Sequence, residues 1–95
     1  MQAAIRVWYT TAMTETDLLR RITSDPAIFG GKPVVRGRRL AVEHVLAMLA
    51  AGDGTQDVLA AYPFLEPDDL RACLLYAYKL VVHERVEPFP AGSAA

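Results

Sequence analysis

The stretch KPVVRGRRLAVEHVLAMLAAG, residues 32–52, contains the change of pattern on which the fold depends. A proline and two valines favour an extended segment, and Arg36-Gly37 breaks it before apolar residues resume. From Val42 the apolar residues recur at helical spacing until a glycine that is a natural helix stop. The stretch therefore predicts a small β-hairpin, with Arg38 near its tip, that leads directly into a helix.

Further helical patterns flank this stretch on both sides. Residues 14–22 carry a capping residue and apolar side chains at helical spacing, and SDPAIFGG predicts a single helical turn that ends in a glycine with positive φ. Thr55 is expected to cap a short helix, and a longer helix is expected from Pro67 to about Glu84. The expected fold class is mainly α with a small N-terminal β-hairpin, in a three-helix, helix-turn-helix-like (homeodomain-like) domain.

The 95 residues are expected to form one domain, without repeats. Residues 1–13 are predicted to be an N-terminal extension whose order the sequence leaves open, residues 14–87 the domain, and residues 88–95 a frayed tail. No apolar run reaches the ~20 residues of a membrane-spanning helix, and the first residues make a poor signal peptide. Cys73 stands alone, so a disulfide framework is not expected. We therefore expect a cytoplasmic protein that does not associate with membranes.

The net charge of -1 hides two segments of opposite sign. Residues 20–39 carry six basic side chains and one acid, whereas residues 41–71 carry six acids and one arginine. A division of this kind often marks an interaction surface. The side chains expected to bind nucleic acid or an acidic partner are Lys32, Arg36, Arg38, Arg39 and Arg71.

The long helix that begins at Pro67 is apolar on two sides. The first apolar stripe, expected to pack on the other helices, contains Leu70, Cys73, Leu74, Ala77, Leu80 and Val81. A second stripe, rotated by roughly a quarter turn, contains Leu75, Tyr78 and Val82. Either this second stripe packs beneath the hairpin of the same chain, or it is an interface with a second copy or another partner.

Few residues suggest catalysis. The GGKP motif is not a phosphate-binding loop, because Pro33 follows the lysine where such a loop has Ser or Thr and contributes no N–H. His44 and His83 have no metal ligand at the usual spacing, and Asp68-Asp69 are explained by their favourable position at a helix start. We expect a protein that is not an enzyme and that needs no cofactor or metal.

The last two predicted helices are joined by a tight turn, and this arrangement is typical of DNA-binding domains. The third helix, however, would present Glu66, Asp68 and Asp69 to the major groove, and their charge opposes that of the phosphate backbone. Any DNA contact is therefore expected from the basic hairpin, doubled in a dimer. Two alternatives stay open. The hairpin is merely solvated, or it pairs with acidic residues of its own chain or of a dimer mate.

Several short motifs follow one another between Ile22 and Ala77. They are, in order, Asp25-Pro26, Gly31-Lys32-Pro33, Arg36-Gly37, Arg39, Tyr62-Pro63, Leu65 and Tyr76-Ala77. With these motifs the segment resembles the bacterial family called domain of unknown function 433. Two positions depart from that family's pattern: Arg38 stands where Thr is usual, and Ala41 stands where Pro is frequent.

The resemblance implies a helix-turn-helix-like domain that acts as a VapB-like antitoxin of a type II toxin–antitoxin pair. On that basis we expect a homodimer that inhibits a PIN-like ribonuclease toxin from the same operon, with operator DNA as a second partner. Because Arg offers a planar fork that suits carboxylates, we expect Arg36, Arg38 or Arg39 to reach the acidic cleft of the toxin. The alternatives are a free-standing dimeric DNA-binding regulator and a structural dimerisation module.

Overall fold

The computed structural model of the chain describes residues 14–83, and the following elements are those of that part of the chain. The predicted fold class is confirmed, since the domain is mainly helical with a small antiparallel sheet near its N-terminal side. The predicted extension (1–13) and tail (88–95) lie outside the described residues, as do residues 84–87. The elements are α1 (Glu15–Leu19), β1 (Ile22–Thr23), β2 (Val34–Val35), α2 (Val42–Ala50), α3 (Thr55–Ala61) and α4 (Pro67–His83).

Helix α1 is held at its start by a capping box. The Thr14 hydroxyl accepts a hydrogen bond from the Asp17 N–H at 3.1 Å, and the Asp17 carboxylate accepts one from the Thr14 N–H at 3.2 Å. These two bonds satisfy backbone donors that have no partner within a helix. Leu18 is buried, and Glu15 forms an ion pair of 3.0 Å with Lys79 of α4. This short helix is therefore fastened to the longest one.

Strands β1 and β2 pair antiparallel, with Ile22 opposite Val35 and Thr23 opposite Val34. Both valines are fully buried. A single helical turn was predicted in the segment that connects the strands, with Pro26 first and Gly30 at its end. The structure has a 3-10 turn there, but it lies later, at Phe29–Gly31, with Gly30 inside it.

The hairpin predicted between Val34 and Val42 is shorter than expected. It contains one antiparallel bridge, from Val34 to Ala41, together with a hydrogen bond of 3.1 Å from the Val35 N–H to the Leu40 carbonyl. The pairing stops there because the chain turns into α2 at Val42. The predicted position of Arg38 in the turn of this hairpin is confirmed by a 2.8 Å bond from its N–H to the Val35 carbonyl.

One hydrophobic core joins the sheet to α2, α3 and α4. Helix α2 ends at Ala50 and is followed by Gly52, whose φ of 105° few other residues adopt. Helix α3 begins after Gly54, whose N–H donates to the carboxylate of Asp57 at 2.9 Å. The buried cluster contains Val35, Leu40, Val42, Val45, Val58, Leu65, Leu70 and Cys73.

Helix α4 begins at Pro67, as predicted, and extends to His83 at the end of the described residues. Its buried side chains lie in its first half: Asp69, Leu70, Ala72 and Cys73. Burial raises the pKa of the Cys73 thiol to about 12, so the thiol stays protonated at neutral pH. Within residues 14–83, no helix is both long enough and apolar enough to cross a membrane.

Candidate functional site

The hairpin is fixed to the start of α4 by a buried carboxylate. Asp69 is completely inaccessible to solvent, and its oxygens accept from the Arg36 Nε at 2.9 Å and from the Arg36 Nη2 at 2.8 Å. Arg21, which precedes β1, donates to the same carboxylate at 3.0 Å, and the Glu66 N–H donates at 2.8 Å. A carboxylate with this many donors is fully compensated, and it pins strand, turn and helix to one another.

These hydrogen bonds also determine the ionisation of the carboxylate. Burial by itself raises the pKa of Asp69, but the hydrogen bonds from Arg36, from the Glu66 N–H and from Arg21 outweigh it. The pKa of Asp69 therefore lies below its ordinary value, and the group is charged at neutral pH.

Arg36 consequently has a different place from the one expected from the sequence. Besides its two bonds to Asp69, its Nη2 donates to the Phe64 carbonyl at 2.8 Å, so the guanidinium is held inside the domain. The expectation that Arg36 reaches a partner is therefore corrected, because releasing it would leave Asp69 short of donors in a buried site.

The turn that follows β2 projects the next two arginines outward. Arg36 and Gly37 have φ values of 44° and 70°, and positive φ at both central residues is the mark of a type I′ turn. The Gly37 N–H donates to the Thr23 hydroxyl at 2.9 Å, which ties the turn to β1. Arg38 and Arg39, which come next, are both exposed.

Arg38 and Arg39 differ from the other cations of residues 14–83. The other lysines and arginines of that range each form an ion pair with a carboxylate, whereas these two have none. Each lies instead over an aromatic ring: Arg38 is 4.6 Å from the centre of the Phe64 ring, and Arg39 is 5.9 Å from that of Phe29. An arginine held over a ring keeps its donors directed toward solvent and available to a ligand.

The remaining predicted basic residues already have partners within the chain. Lys32 donates to Glu43 at 3.1 Å, with both side chains more than half exposed. Arg71 donates to Asp68 at 3.1 Å within α4. The Lys32–Glu43 pair is exposed, and exposed pairs contribute little to stability and exchange readily with other partners. Within residues 14–83, the structure thus separates the five predicted cations into one structural residue, two paired residues and two without a carboxylate partner.

An open cleft of about 680 Å³ lies beside Arg39. On its floor, the ring nitrogen Nε2 of His44 and the hydroxyl of Tyr62 are 3.1 Å apart. Positive groups, one acid, aromatic rings and apolar walls therefore meet in one depression. Its lining consists of Phe29, Lys32, Arg39, Leu40, Ala41, Glu43, His44, Ala47 and Tyr62.

Helix α4 exposes an apolar surface in its second half. Leu74, Tyr78, Val81 and Val82 are 52%, 60%, 71% and 55% accessible, and at ~100° per residue they fall within an arc of about 100°. We call these four residues the α4 stripe.

The α4 stripe revises the two stripes expected from the sequence. Leu74, Leu80 and Val81 were expected to pack on the other helices, but all three are exposed. The reason is length: α4 extends over about 25 Å and α2 over about 14 Å, so the core covers mainly the first half of α4. Of the residues expected at an interface, Tyr78 and Val82 belong to the α4 stripe, whereas Leu75 is half-buried beside it.

Several site residues escaped the sequence analysis. Asp69 was explained as a helix-capping acid, and only its burial reveals that it fixes the hairpin. Phe29, His44 and Tyr62 meet at the cleft from three separate segments. One signal in the sequence could have indicated the cleft: Phe29 lies in the loop before β2, and an aromatic residue is unusual at an exposed turn. Residues 14–83 contain no group of three or more His, Cys, Asp or Glu side chains placed to hold a metal ion.

Comparison with known proteins bears on the family of the chain. Among curated proteins, "Uncharacterized protein y4eO" of Sinorhizobium fredii (strain NBRC 101917 / NGR234) is 45% identical over 56 residues, which are 59% of this chain and 25% of that relative. The chain thus spans about a quarter of the length of that relative. No solved structure matches the chain significantly. The model of one family, described as "Protein of unknown function (DUF433)", matches residues 22–77, from β1 into the middle of α4. This match covers more than half of the chain, which therefore belongs to the DUF433 family of proteins of unknown function.

Proposed function

We propose that this chain is a docking protein: the antitoxin of a type II pair, which binds and inhibits a PIN-like ribonuclease in the cytoplasm. In this proposal it forms a homodimer and represses its own operon. The α4 stripe is the observation that carries the proposal, since four adjacent apolar side chains on one helix are a surface suited to a protein partner. The antitoxin role itself comes from the family resemblance.

The charge distribution gives a second line of support. A nuclease that holds metal ions with carboxylates presents a strongly acidic cleft. Arg38 and Arg39 have no carboxylate partner among the described residues and stand next to each other on a rigid turn. Because they are pre-oriented over aromatic rings, they lose little conformational freedom when they bind a carboxylate. Blocking an acidic cleft requires no catalytic group on the inhibitor.

Binding to DNA is less well supported as the main activity. The first turn of α4, which would enter the major groove, contains Asp68 and Asp69, and both are engaged with arginines of the same chain. Duplex binding depends on many unpaired cations along the phosphate backbone. Among the described cations only Arg38 and Arg39 lack a carboxylate partner, so a free-standing regulator would have few unpaired cations in each domain for this purpose.

The test is co-expression of the chain with the product of the adjacent reading frame. We expect the two proteins to co-purify and RNA cleavage by the partner to be suppressed. The double variant Arg38→Ala/Arg39→Ala should restore cleavage, and Tyr78→Ser/Val82→Ser should weaken co-purification. Folding of each variant is checked by circular dichroism, and Arg20→Ala, which removes an exposed cation of α1's end, is the matched control.

Two outcomes would refute the proposal. The first is a chain that fails to bind the neighbouring product. The second is tight, salt-dependent binding to the upstream DNA together with no effect on any nuclease, which would favour the regulator. A double arginine variant that inhibits as well as the parent would refute the role given to Arg38 and Arg39.

A further inference from the structure

We propose that the cleft beside Arg39 is a binding site for a partner polypeptide segment that presents one carboxylate next to an aromatic or apolar side chain. The inference rests on the proposed function in one respect, namely that the ligand belongs to a protein partner. It adds a defined site and a defined ligand chemistry. The cleft lies between the loop before β2, the hairpin turn and α2, with Tyr62 contributed from the end of α3.

The cleft has one place for a carboxylate. Arg39 is exposed and lacks a carboxylate partner among the described residues, and the Phe29 ring at 5.9 Å supports it from one side. A guanidinium in this position offers two parallel N–H donors to a carboxylate. Lys32, also in the lining, is paired with Glu43 in an exposed contact that it can leave at little cost.

The same cleft has a place for an apolar group. Phe29 is 45% exposed although it is a large apolar side chain, and Leu40, Ala41 and Ala47 complete the wall next to it. Tyr62 closes the other side, where its hydroxyl is 3.1 Å from the His44 ring. The volume of about 680 Å³ falls within the range of ligand-binding clefts, and the open shape suits a segment that passes through it.

Charge decides between a polypeptide and a nucleic acid. Glu43 lies in the lining itself and cancels Lys32, so the cleft carries one net positive charge from Arg39. One net charge matches a single carboxylate. A chain of phosphates would place further negative charges near Glu43, which lies in the same lining.

The experiment is a titration of the ¹⁵N-labelled chain followed by NMR. The probe is N-acetyl-phenylalanine, which carries a free carboxylate beside an aromatic ring. We expect saturable shifts of the backbone amides of Arg39, His44 and Tyr62. Arg39 forms no ion pair among the described residues, so the variant Arg39→Met should keep the fold. It should bind the probe about tenfold more weakly. Arg38→Met removes the neighbouring arginine, which is outside the cleft lining, and should bind like the parent.

Three results would overturn the inference. Absence of shifts at the cleft residues would remove the site. Equal binding of N-acetyl-phenylalaninamide, or undiminished binding by Arg39→Met, would show that the carboxylate has no role. Tighter binding of uridine 5′-monophosphate than of N-acetyl-phenylalanine would assign the cleft to nucleic acid.

A second arm separates this inference from the proposed function. Wild-type chain and Arg39→Met are each tested for co-purification with the neighbouring gene product. If both bind it equally, the cleft is not used and the inference fails, while the docking function stands. If neither binds it although the cleft takes the carboxylate probe, the antitoxin proposal fails and the site stands.

Discussion

Arg36 and Asp69, which are 33 residues apart, are joined by two parallel hydrogen bonds of 2.9 and 2.8 Å. This contact holds the hairpin against the first turn of the last helix. It also determines which arginines remain outward: Arg36 is held, and the turn that begins with it exposes Arg38 and Arg39. The position of the candidate site therefore depends on a single buried carboxylate.

Replacement of Asp69 by Asn is expected to destabilise the domain by about 3 kcal/mol or more. The amide has a single acceptor oxygen, so the Arg36 Nη2 and the Glu66 N–H, which both donate to the second carboxylate oxygen, would face N–H donors instead. The arginines would also lose their buried counter-charge. Asp68→Asn is the control, since Asp68 pairs with Arg71 where both side chains are partly exposed, and its loss is expected to cost about 1 kcal/mol or less. Urea unfolding of both variants measures the difference, and equal losses would contradict the structural role of Asp69.

The stability of the domain should fall in acid in a way that depends on Asp69. Its pKa in the folded chain lies below the unfolded value of about 3.9, so the unfolded chain binds a proton at a higher pH than the folded one. The contribution of Asp69 is therefore complete above about pH 5 and is lost as the pH falls through the folded pKa. Urea unfolding between pH 7 and pH 3 should show this decline in the wild type and a shallower one in Asp69→Asn. Identical slopes in the two proteins would contradict the depressed pKa.

Gly37 is expected to tolerate Asn but not Ala. Its φ of 70° is unfavourable for Ala, and a Cβ at this position would meet no atom within 4 Å, so the backbone conformation is the whole effect. Gly37→Ala should lower the free energy of unfolding by about 1 kcal/mol, and Gly37→Asn by less, since Asn adopts this conformation more readily. Thermal or urea unfolding provides the comparison. A harmless alanine would argue against the turn described above.

Leu70 and Leu74 provide a matched pair one turn apart on α4. Leu70 is 4% accessible and belongs to the core, whereas Leu74 is 52% accessible and belongs to the α4 stripe. Leu70→Ala should cost about 2–5 kcal/mol of unfolding free energy, and Leu74→Ala about 0.5 kcal/mol or less in the monomer. A large effect of Leu74→Ala in dilute solution would indicate that the stripe is covered within the chain.

Local patterns in the sequence predicted most of the secondary structure correctly. Thr14 caps α1, Gly30 takes a positive φ, and Pro67 is the first residue of α4, as expected. These features depend on interactions within a few residues, such as a side-chain cap or a glycine without a Cβ, so they are encoded where they occur. The family resemblance over Ile22–Ala77 was also legible from short motifs, and the matching family model confirms it.

The partners of individual charged residues and the burial of individual apolar residues could not be predicted from local patterns. The sequence contained six cations between residues 20 and 39, but nothing near Arg36 indicates that its partner is Asp69. Helical periodicity placed Leu74 and Leu80 on a packing stripe, yet it carries no information on where the neighbouring helices end. The cleft likewise joins Phe29, Arg39 and Tyr62 across 33 residues of chain.

The sequence by itself thus determined the helical elements, most of their starts and the family, because helix starts, turns and apolar periods are short-range properties. Only the tertiary structure decided which cations are neutralised inside the domain, which two stay available, and which face of the last helix is left uncovered. These are outcomes of long-range packing, in which a buried carboxylate must collect its donors wherever the chain brings them.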